Sequence, residues 1–484
     1  MSKKILCNIE PERVFYYFEN LAMIPHGSRD TKAISDYCVG FAVEHDFEYY
    51  QDGDNNVIII KEASKGREEE NPIIIQGHLD MVCEKAPDCT KDMAKEGLDL
   101  FVDGDMVGAY KTTLGGDDGI AVAMALAILE DEQLSHPRLE VVFTVDEEIG
   151  MLGASDIDVS PLKGHIMLNI DSEEEGVFTV SCAGGVVAEC RVPFKEVPNT
   201  NRCYEIEIKG LIGGHSGIEI NKGRATSNKL LAEILNGLYK KCRFNLISVK
   251  GGMKDNAIPT ESKACISSGE KSDVIEKVVK DIANVIITRY KTVDPGIQVS
   301  VKEIDLVKTT MDRESTEREI KVLLNMPEGI QKMSEDVEGL VQTSLNMGIL
   351  LTEAGYVSMS YCVRSSVDEE KHELLNRMKT IVEVENGKVI LSGDYSGWKY
   401  RQESPLRDTM SEIYYDMYAE TPRIEAVHAG VECGIFAGKI ENLDCISYGP
   451  NLSEIHTYRE RMSISSVKRV YDMTRKVIEK GVKE

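Results

Sequence analysis

The amino-acid sequence predicts an α/β protein in which a mostly parallel sheet, flanked by helices, is interrupted by an inserted α+β domain. Three observations lead there. At 484 residues the chain exceeds what one hydrophobic core usually supports, so two domains are expected. In its first third, short continuous apolar runs alternate with helical patterns, which marks strands covered on both faces. From about residue 186 the texture changes to alternating strands mixed with amphipathic helices, and after "GDYSGWKYRQESP" at 393–405 the first texture returns.

Taken in order, "VIII" at 57–60 and "PIIIQ" at 72–76 read as buried strands, and "GIAVAMALAILEDEQ" as an Ala-rich helix. "LEVVFTV" and "HIMLNI" are further buried strands. In the insert, "YEIEIKG" and "GYVSMSYCV" alternate with period two, as in a sheet with one solvated face, whereas "DVIEKVVKDIANVIITRY" carries the helical period. "LRDTMSEIYYDMYAE" and "LDCISYGP" bring back a helix and a buried strand. The expected division is therefore 1–186 and 398–484 for the first domain and 187–397 for the insert. No short-period repeat is visible, although the insert is long enough to contain a diverged duplication.

With 56 basic and 82 acidic residues the formal net charge is −26, which repels phosphate backbones and anionic lipid and attracts divalent cations. Neither nucleic acid nor membrane is an expected partner. The longest apolar stretch, "IAVAMALAIL" at 120–129, is too short to span a bilayer, and the N-terminus lacks an apolar signal region. Twelve cysteines without a CxxC pair read as reduced thiols, so a cytoplasmic location is expected.

Three of the expected strands end directly in ligand-type side chains. "PIIIQG" delivers His78 and Asp80, "LEVVFTV" delivers Asp146, Glu147 and Glu148, and "HIMLNI" delivers Asp171. In open α/β sheets the crevice beyond the carboxyl ends of the strands is where ligands bind. "LGGDDGI" sets Asp117 in a Gly-flanked turn before the Ala-rich helix, and "DCISYGP" leads through a loop to His456. Each piece alone resembles a surface turn; their coincidence at strand ends does not. So many carboxylates at one sheet edge would repel and desolvate one another unless cations neutralised them. Two imidazoles with several carboxylates suit zinc, manganese or cobalt better than calcium, and suffice for two ions bridged by one carboxylate. Residues i and i+2 of an extended segment share a side, so Asp80 can accept the second N–H of His78. The adjacent glutamates should point apart, one ligating while the other acts as a general base.

"GHLDMV", "LGGDDGIAVAMA", "TVDEEIGMLGA", "LNIDSEEEG" and the "IH" of "SEIHTYRER" stand in the order and approximate spacing of the M20 metallopeptidase family. Within it, nearly the whole chain resembles the cytosolic aminoacyl-histidine (Xaa-His, non-specific) dipeptidases. The resemblance implies that the first domain is catalytic and the insert a lid. It also implies that His78, Asp117, Glu148, Asp171 and His456 ligate two divalent metal ions, zinc before manganese or cobalt, with Asp117 bridging. Asp80 would orient His78, Glu147 would be the base toward a metal-activated water, and the Asp117–Asp118 peptide would be cis. Many relatives carry lysine after the paired aspartates where this chain has Gly119, which leaves the bridge unaffected.

In the lid, His215 of "GLIGGHSGIEINKGRATSNKL" would donate to the tetrahedral intermediate, in some relatives across a homodimer interface. Asn256 of "KDNAIPTES" and Arg364 of "YCVRSSVD" resemble substrate-binding positions. A guanidinium suits bidentate capture of a free C-terminal carboxylate, and Arg364 equally suits a structural ion pair. Glu432 in "VHAGVECGIF" could hold the substrate's amino group, with His428 beside it as a packed supporting residue. His26, His45, His136, His165 and His372 match no motif and are read as structural. The implied reaction is hydrolysis of dipeptides, of Xaa-His type or broader. Alternatives on the same architecture are an aminotripeptidase, an N-acyl amino acid deacylase, or a non-catalytic metal- or peptide-binding protein. Glu147 beside Glu148 argues against the last, because a metal store needs no base.

Overall fold

A computed structural model describes residues 4–483, which form two compact units. The first comprises the chain up to Cys182, Trp398–Ala426 and Val431 onward; the second comprises Ala183–Gly397 and Val427–Gly430. The expected boundary at 186/187 falls inside a strand, Gly184–Pro193, which lies wholly in the second unit.

In the first unit an eight-stranded sheet runs Glu48–Gln51, Val57–Lys61, Leu139–Thr144, Ile73–His78, Ile166–Asn169, Asp444–Ser447, Val177–Cys182, Arg423–Val427. The four inner strands are mutually parallel. Their β-branched residues are buried on both faces, the environment such side chains fit best. The register sets His78 opposite Thr144 and Gln76 opposite Asn169. All the turns that follow these strands therefore leave the sheet at one edge.

The helix Gly116–Glu130 is buried from Asp118 to Leu129. It is apolar all round because it lies between the sheet and the helix Glu12–Ala22, and Val122, Leu126, Phe15 and Phe18 share one core with Ile75, Val141, Leu168 and Ile446. Each such side chain, fully buried, contributes about 1.5–3 kcal/mol. Its first residues are not helical: Asp117 has φ −86° and ψ 104°, and the Asp117–Asp118 peptide is cis. A smaller sheet, Leu452–Ser453, Arg461–Ser463, Met106–Ala109, Leu100–Asp103, anchors both ends of the loop that carries His456. Among the described residues no helix is long and apolar enough to cross a membrane.

The second unit has its own core around an antiparallel sheet. Its strands run Gln298–Ile304, Arg202–Lys209, Ser262–Ser268, Phe244–Gly251, Val341–Glu353, Tyr356–Ser365, Gly184–Pro193, Lys388–Tyr395, with Gly329–Met333 also on Val341–Glu353. Apart from Gly329–Met333 and strands of two or three residues, two halves of the same strand–helix–strand–strand–helix–strand order meet at the pairing of Phe244–Gly251 with Val341–Glu353. One half, 202–304, is nested between the first strand and first helix of the other. This is the duplication for which the insert's length leaves room.

Candidate metal centre

The strand Ile73–His78 ends by presenting His78, which is fully buried. Its Nε2 lies 3.1 Å from Asp117 Oδ1 and 3.6 Å from Asp171 Oδ1. Its Nδ1 faces the main-chain oxygen of Asp80 at 2.9 Å, while the Asp80 carboxylate stands 3.6 Å away. The expected orienting partner is thus corrected in detail: the carbonyl of Asp80, and not its carboxylate, receives the imidazole N–H, because the chain leaves the strand at His78. With Nδ1 so engaged, Nε2 is the nitrogen turned toward the carboxylates. The Asp80 carboxylate instead accepts from Ser28 Oγ at 2.8 Å and from the Glu147 N–H at 3.1 Å. It holds the turn that carries the two glutamates.

His456 is half exposed and sits in the left-handed region at φ 57°. Its Nε2 is 3.1 Å from Asp117 Oδ2 and 3.0 Å from Glu148 Oε1. The two oxygens of Asp117 are thereby divided, one toward each imidazole, which is how a bridging carboxylate is disposed. Asp146, at φ 56°, turns the chain sharply after Leu139–Thr144. Consequently Glu147 and Glu148 do not point apart as an extended backbone would have them. Each offers an oxygen within 4.8 Å of the other and of His78. Asp118 joins His78 and Asp171 in a similar group, a participant missed in the sequence although it adjoins Asp117 in "GGDD".

The electrostatics of the cluster are those of crowded, buried carboxylates around two imidazoles. Burial lowers the pKa of His78, but Asp117, Asp171 and Asp80 outweigh it and raise it well above the usual imidazole range. His456, beside Asp117 and Glu148, is raised to about 10. Asp117 is held low by the two imidazoles despite its burial. Burial, then neighbouring carboxylates, push Asp118 and Glu147 well up and Asp171 to about 6. Glu173 reaches about 7, first from desolvation of its carboxyl and then from Asp117 and Asp171, although the residue as a whole is exposed. Glu148 Oε1 is buried without a hydrogen-bond partner even though His456 Nε2 is 3.0 Å away. An imidazole nitrogen and a carboxylate oxygen brought this close are donor types that hold divalent cations. This set of nitrogen and oxygen donors fits two divalent ions.

Glu432 is fully buried. Its Oε2 accepts from Gln76 Nε2 at 2.5 Å and Thr144 Oγ1 at 2.7 Å, and its Oε1 has no partner. Gln76 and Thr144 thus hold one oxygen of the carboxylate expected to meet a substrate amino group and leave the other unbonded.

In the second unit, His215 is half-buried and its Nδ1 accepts from the N–H groups of Gly217 at 3.1 Å and Ile218 at 3.3 Å. The proton is therefore on Nε2, which is free to donate. Asn256, exposed, lies beside it through the pairing of His215 with Ala257. Arg364 is buried, with Nη1 3.3 Å from the Tyr395 hydroxyl and Nε without a partner, and among the described residues it makes no ion pair. Its charge, after burial, lowers both His215 and His428, the latter to about 3. His428 Nε2 is 2.7 Å from Ser344 Oγ. Of the histidines read as structural, His26 and His136 are buried, and each ring has a main-chain oxygen as its partner.

Residues 206–294 match the peptidase dimerisation domain of the M20 family. The chain is 33% identical over 465 residues to the cytosol non-specific dipeptidase of Escherichia coli K12, covering 96% of each. Its structure superposes on the aminoacylhistidine dipeptidase of Vibrio alginolyticus with a TM-score of 0.93 and 31% identity, over 99% of this chain and 98% of that one. An M20 family metallo-carboxypeptidase of Sulfolobus solfataricus shares the fold at 12% identity and a TM-score of 0.54, over 97% and 98% of the two chains. Identity of 31–33% to the two dipeptidases across almost the full length reflects common descent, and the chain belongs to the M20 family of peptidases.

Proposed function

We propose that the protein is a dinuclear, zinc-dependent dipeptidase of the cytoplasm, acting on Xaa-His and related dipeptides. The observation that carries the metal reading is the division of Asp117 between His78 and His456, with Glu148 Oε1 buried 3.0 Å from His456 Nε2 beside it. His78, Asp117 and Asp171 would hold one ion, and His456, Asp117 and Glu148 the other. Bound there, the cations neutralise the carboxylates, polarise the scissile carbonyl and make the attacking water more acidic.

The chain's own groups do the rest. Glu147, whose pKa burial lifts well above the usual carboxyl range, takes the proton of the attacking water and returns it to the leaving amine. Asp80 fixes Glu147 by accepting its main-chain N–H. His215, protonated on Nε2, donates to the developing oxyanion, a contribution worth roughly 3–4 kcal/mol for one well-placed donor. Arg364, buried without a carboxylate partner, captures the free C-terminal carboxylate, and Asn256 assists in binding the peptide. The dimerisation-domain match supports a homodimer, which light scattering over a range of concentrations tests. The name of the Escherichia coli relative supports a cytoplasmic location.

Elemental analysis of the purified protein, followed by hydrolysis assays on dipeptides, tripeptides, acyl amino acids and dipeptide amides, decides the reading. Two equivalents of zinc and activity confined to free dipeptides support it. Activity that survives chelation, or a preference for tripeptides or acyl amino acids, overturns it.

A further inference from the structure

Glu460 is buried, and its carboxylate accepts from four successive main-chain N–H groups. Oε2 takes those of Leu114 at 2.7 Å and Gly115 at 3.2 Å; Oε1 takes those of Gly116 at 2.8 Å and Asp117 at 3.4 Å. Glu460 stands four residues after His456, in the loop between Leu452–Ser453 and Arg461–Ser463. The segment it grips is shaped to be gripped. Gly115 has φ 67°, and a Cβ on Gly116 would lie 2.6 Å from Leu452 Cδ2 and 3.1 Å from Glu460 Oε1.

Glu460 meets this row of donors with a carboxylate although it is buried. A neutral side chain could not replace it. A carboxylate has about four acceptor positions and no donor, whereas a glutamine amide would turn its NH2 toward the same row of N–H groups. Asp117 and His456 come from loops with no shared ladder of hydrogen bonds, yet Asp117 must present one oxygen to each imidazole. Beyond the pairing of Arg461–Ser463 with Met106–Ala109, which fixes the roots of the two loops, this carboxylate ties the main chain of the first loop to the second.

We propose that Glu460 is a positioning residue for the metal bridge: by clasping the Leu114–Asp117 main chain from the loop that carries His456, it sets Asp117 to be shared between the two cations. The inference rests on the dinuclear reading given above. It assigns Glu460 no contact with metal or substrate.

Equilibrium dialysis of the metal-free full-length protein against zinc tests it. The parent should bind two ions. Glu460→Gln should bind one with affinity within about 3-fold of the parent and the other, on the His456 side, at least 10-fold more weakly, the range expected when a partner that orients a ligand is lost. Glu140→Gln is the control. That fully buried carboxylate accepts from Lys163 N, Gly164 N and Arg138 at the opposite end of the same sheet, so its loss should lower the melting temperature and weaken neither ion selectively. Should Glu460→Gln fail to fold, Glu460→Asp, which keeps the charge one methylene short, should show the same unequal loss in smaller measure. Two ions bound by the Glu460 variants as in the parent, or both weakened equally as the protein loses stability, overturn the proposal and leave the metal reading intact. A parent that binds no second ion overturns both.

Discussion

At the scale of single residues, the chemistry turns on which carboxyl groups keep a proton. Glu147 is buried beside other acids, and that lifts its pKa well above the ordinary range. A carboxyl group shifted upward holds a proton more readily, as suits a general base that must later hand that proton to the leaving amine. Glu147→Gln preserves the shape and removes the proton exchange. It should keep its metal content while losing turnover by roughly 10²- to 10⁴-fold. Retained activity at full metal loading would remove Glu147 from the mechanism.

His428 offers a residue-level test in the second unit. Burial, and then the charge of Arg364, depress its pKa from 6.5 to about 3. Above pH 6.5 the ring is neutral whether the chain is folded or not, and it contributes nothing to the pH dependence. As the pH falls below 6.5 the unfolded chain takes up a proton that the folded one refuses until about pH 3. Stability is therefore lost across that window, by at most on the order of 5 kcal/mol. His428→Gln should flatten the denaturant-derived stability curve of the chelated protein between pH 6.5 and 4. An unchanged slope would mean that the ring is protonated in the folded state.

At the scale of elements, the strands were legible and their ends were not. "PIIIQ", "LEVVFTV" and "HIMLNI" could be read as buried parallel strands because β-branched apolar runs announce two covered faces. Where His78 and Asp80 send their polar atoms depends on where the strand stops, which periodicity does not encode. Asp146 at φ 56° is likewise invisible in "TVDEE", so the expectation that its neighbours point apart failed at the turn. Glu460 escaped notice because a single acidic residue in a polar loop carries no local signal, and Asp118 was read only as the neighbour of Asp117; the tertiary fold buries both.

One glycine tests how strand and helix are held together. A Cβ on Gly77 would lie 2.5 Å from Asp118 Oδ2 and 2.8 Å from Ala121 Cβ, at the point where the helix Gly116–Glu130 begins against the strand. Asp118 Oδ2 also accepts the His78 N–H at 3.2 Å, so a displaced helix start disturbs Asp117 and His78 together. Gly77→Ala should cost roughly 1–3 kcal/mol, the usual price of overpacking, and lower metal content as well. Gly40→Ala, inside the helix Lys32–Glu44 with open space around it, should be neutral or stabilising by about 0.5–1 kcal/mol. Equal metal loading in the two variants would show that the helix start does not govern the site.

For the whole molecule, the interrupted texture was legible as a domain with an insert, and the chain divides into two compact units. The duplication within the insert was not legible, because the same order of strands and helices is reached by sequences with no visible repeat. Each unit has its own hydrophobic core, so each is expected to unfold as its own cooperative transition. His78, Asp117, Glu148, Asp171 and His456 all belong to the first unit. Ligands that bind only the folded state stabilise it by about 4 kcal/mol at a thousandfold excess over Kd, enough to move the melting temperature on the order of 10 °C for a unit of this size. Scanning calorimetry with and without chelator should therefore shift one of two transitions and leave the other in place. Glu147→Gln should shift as the parent does, and Asp117→Ala should start from the chelated position. Two transitions that move together on chelation would instead mean that the cations stabilise both units.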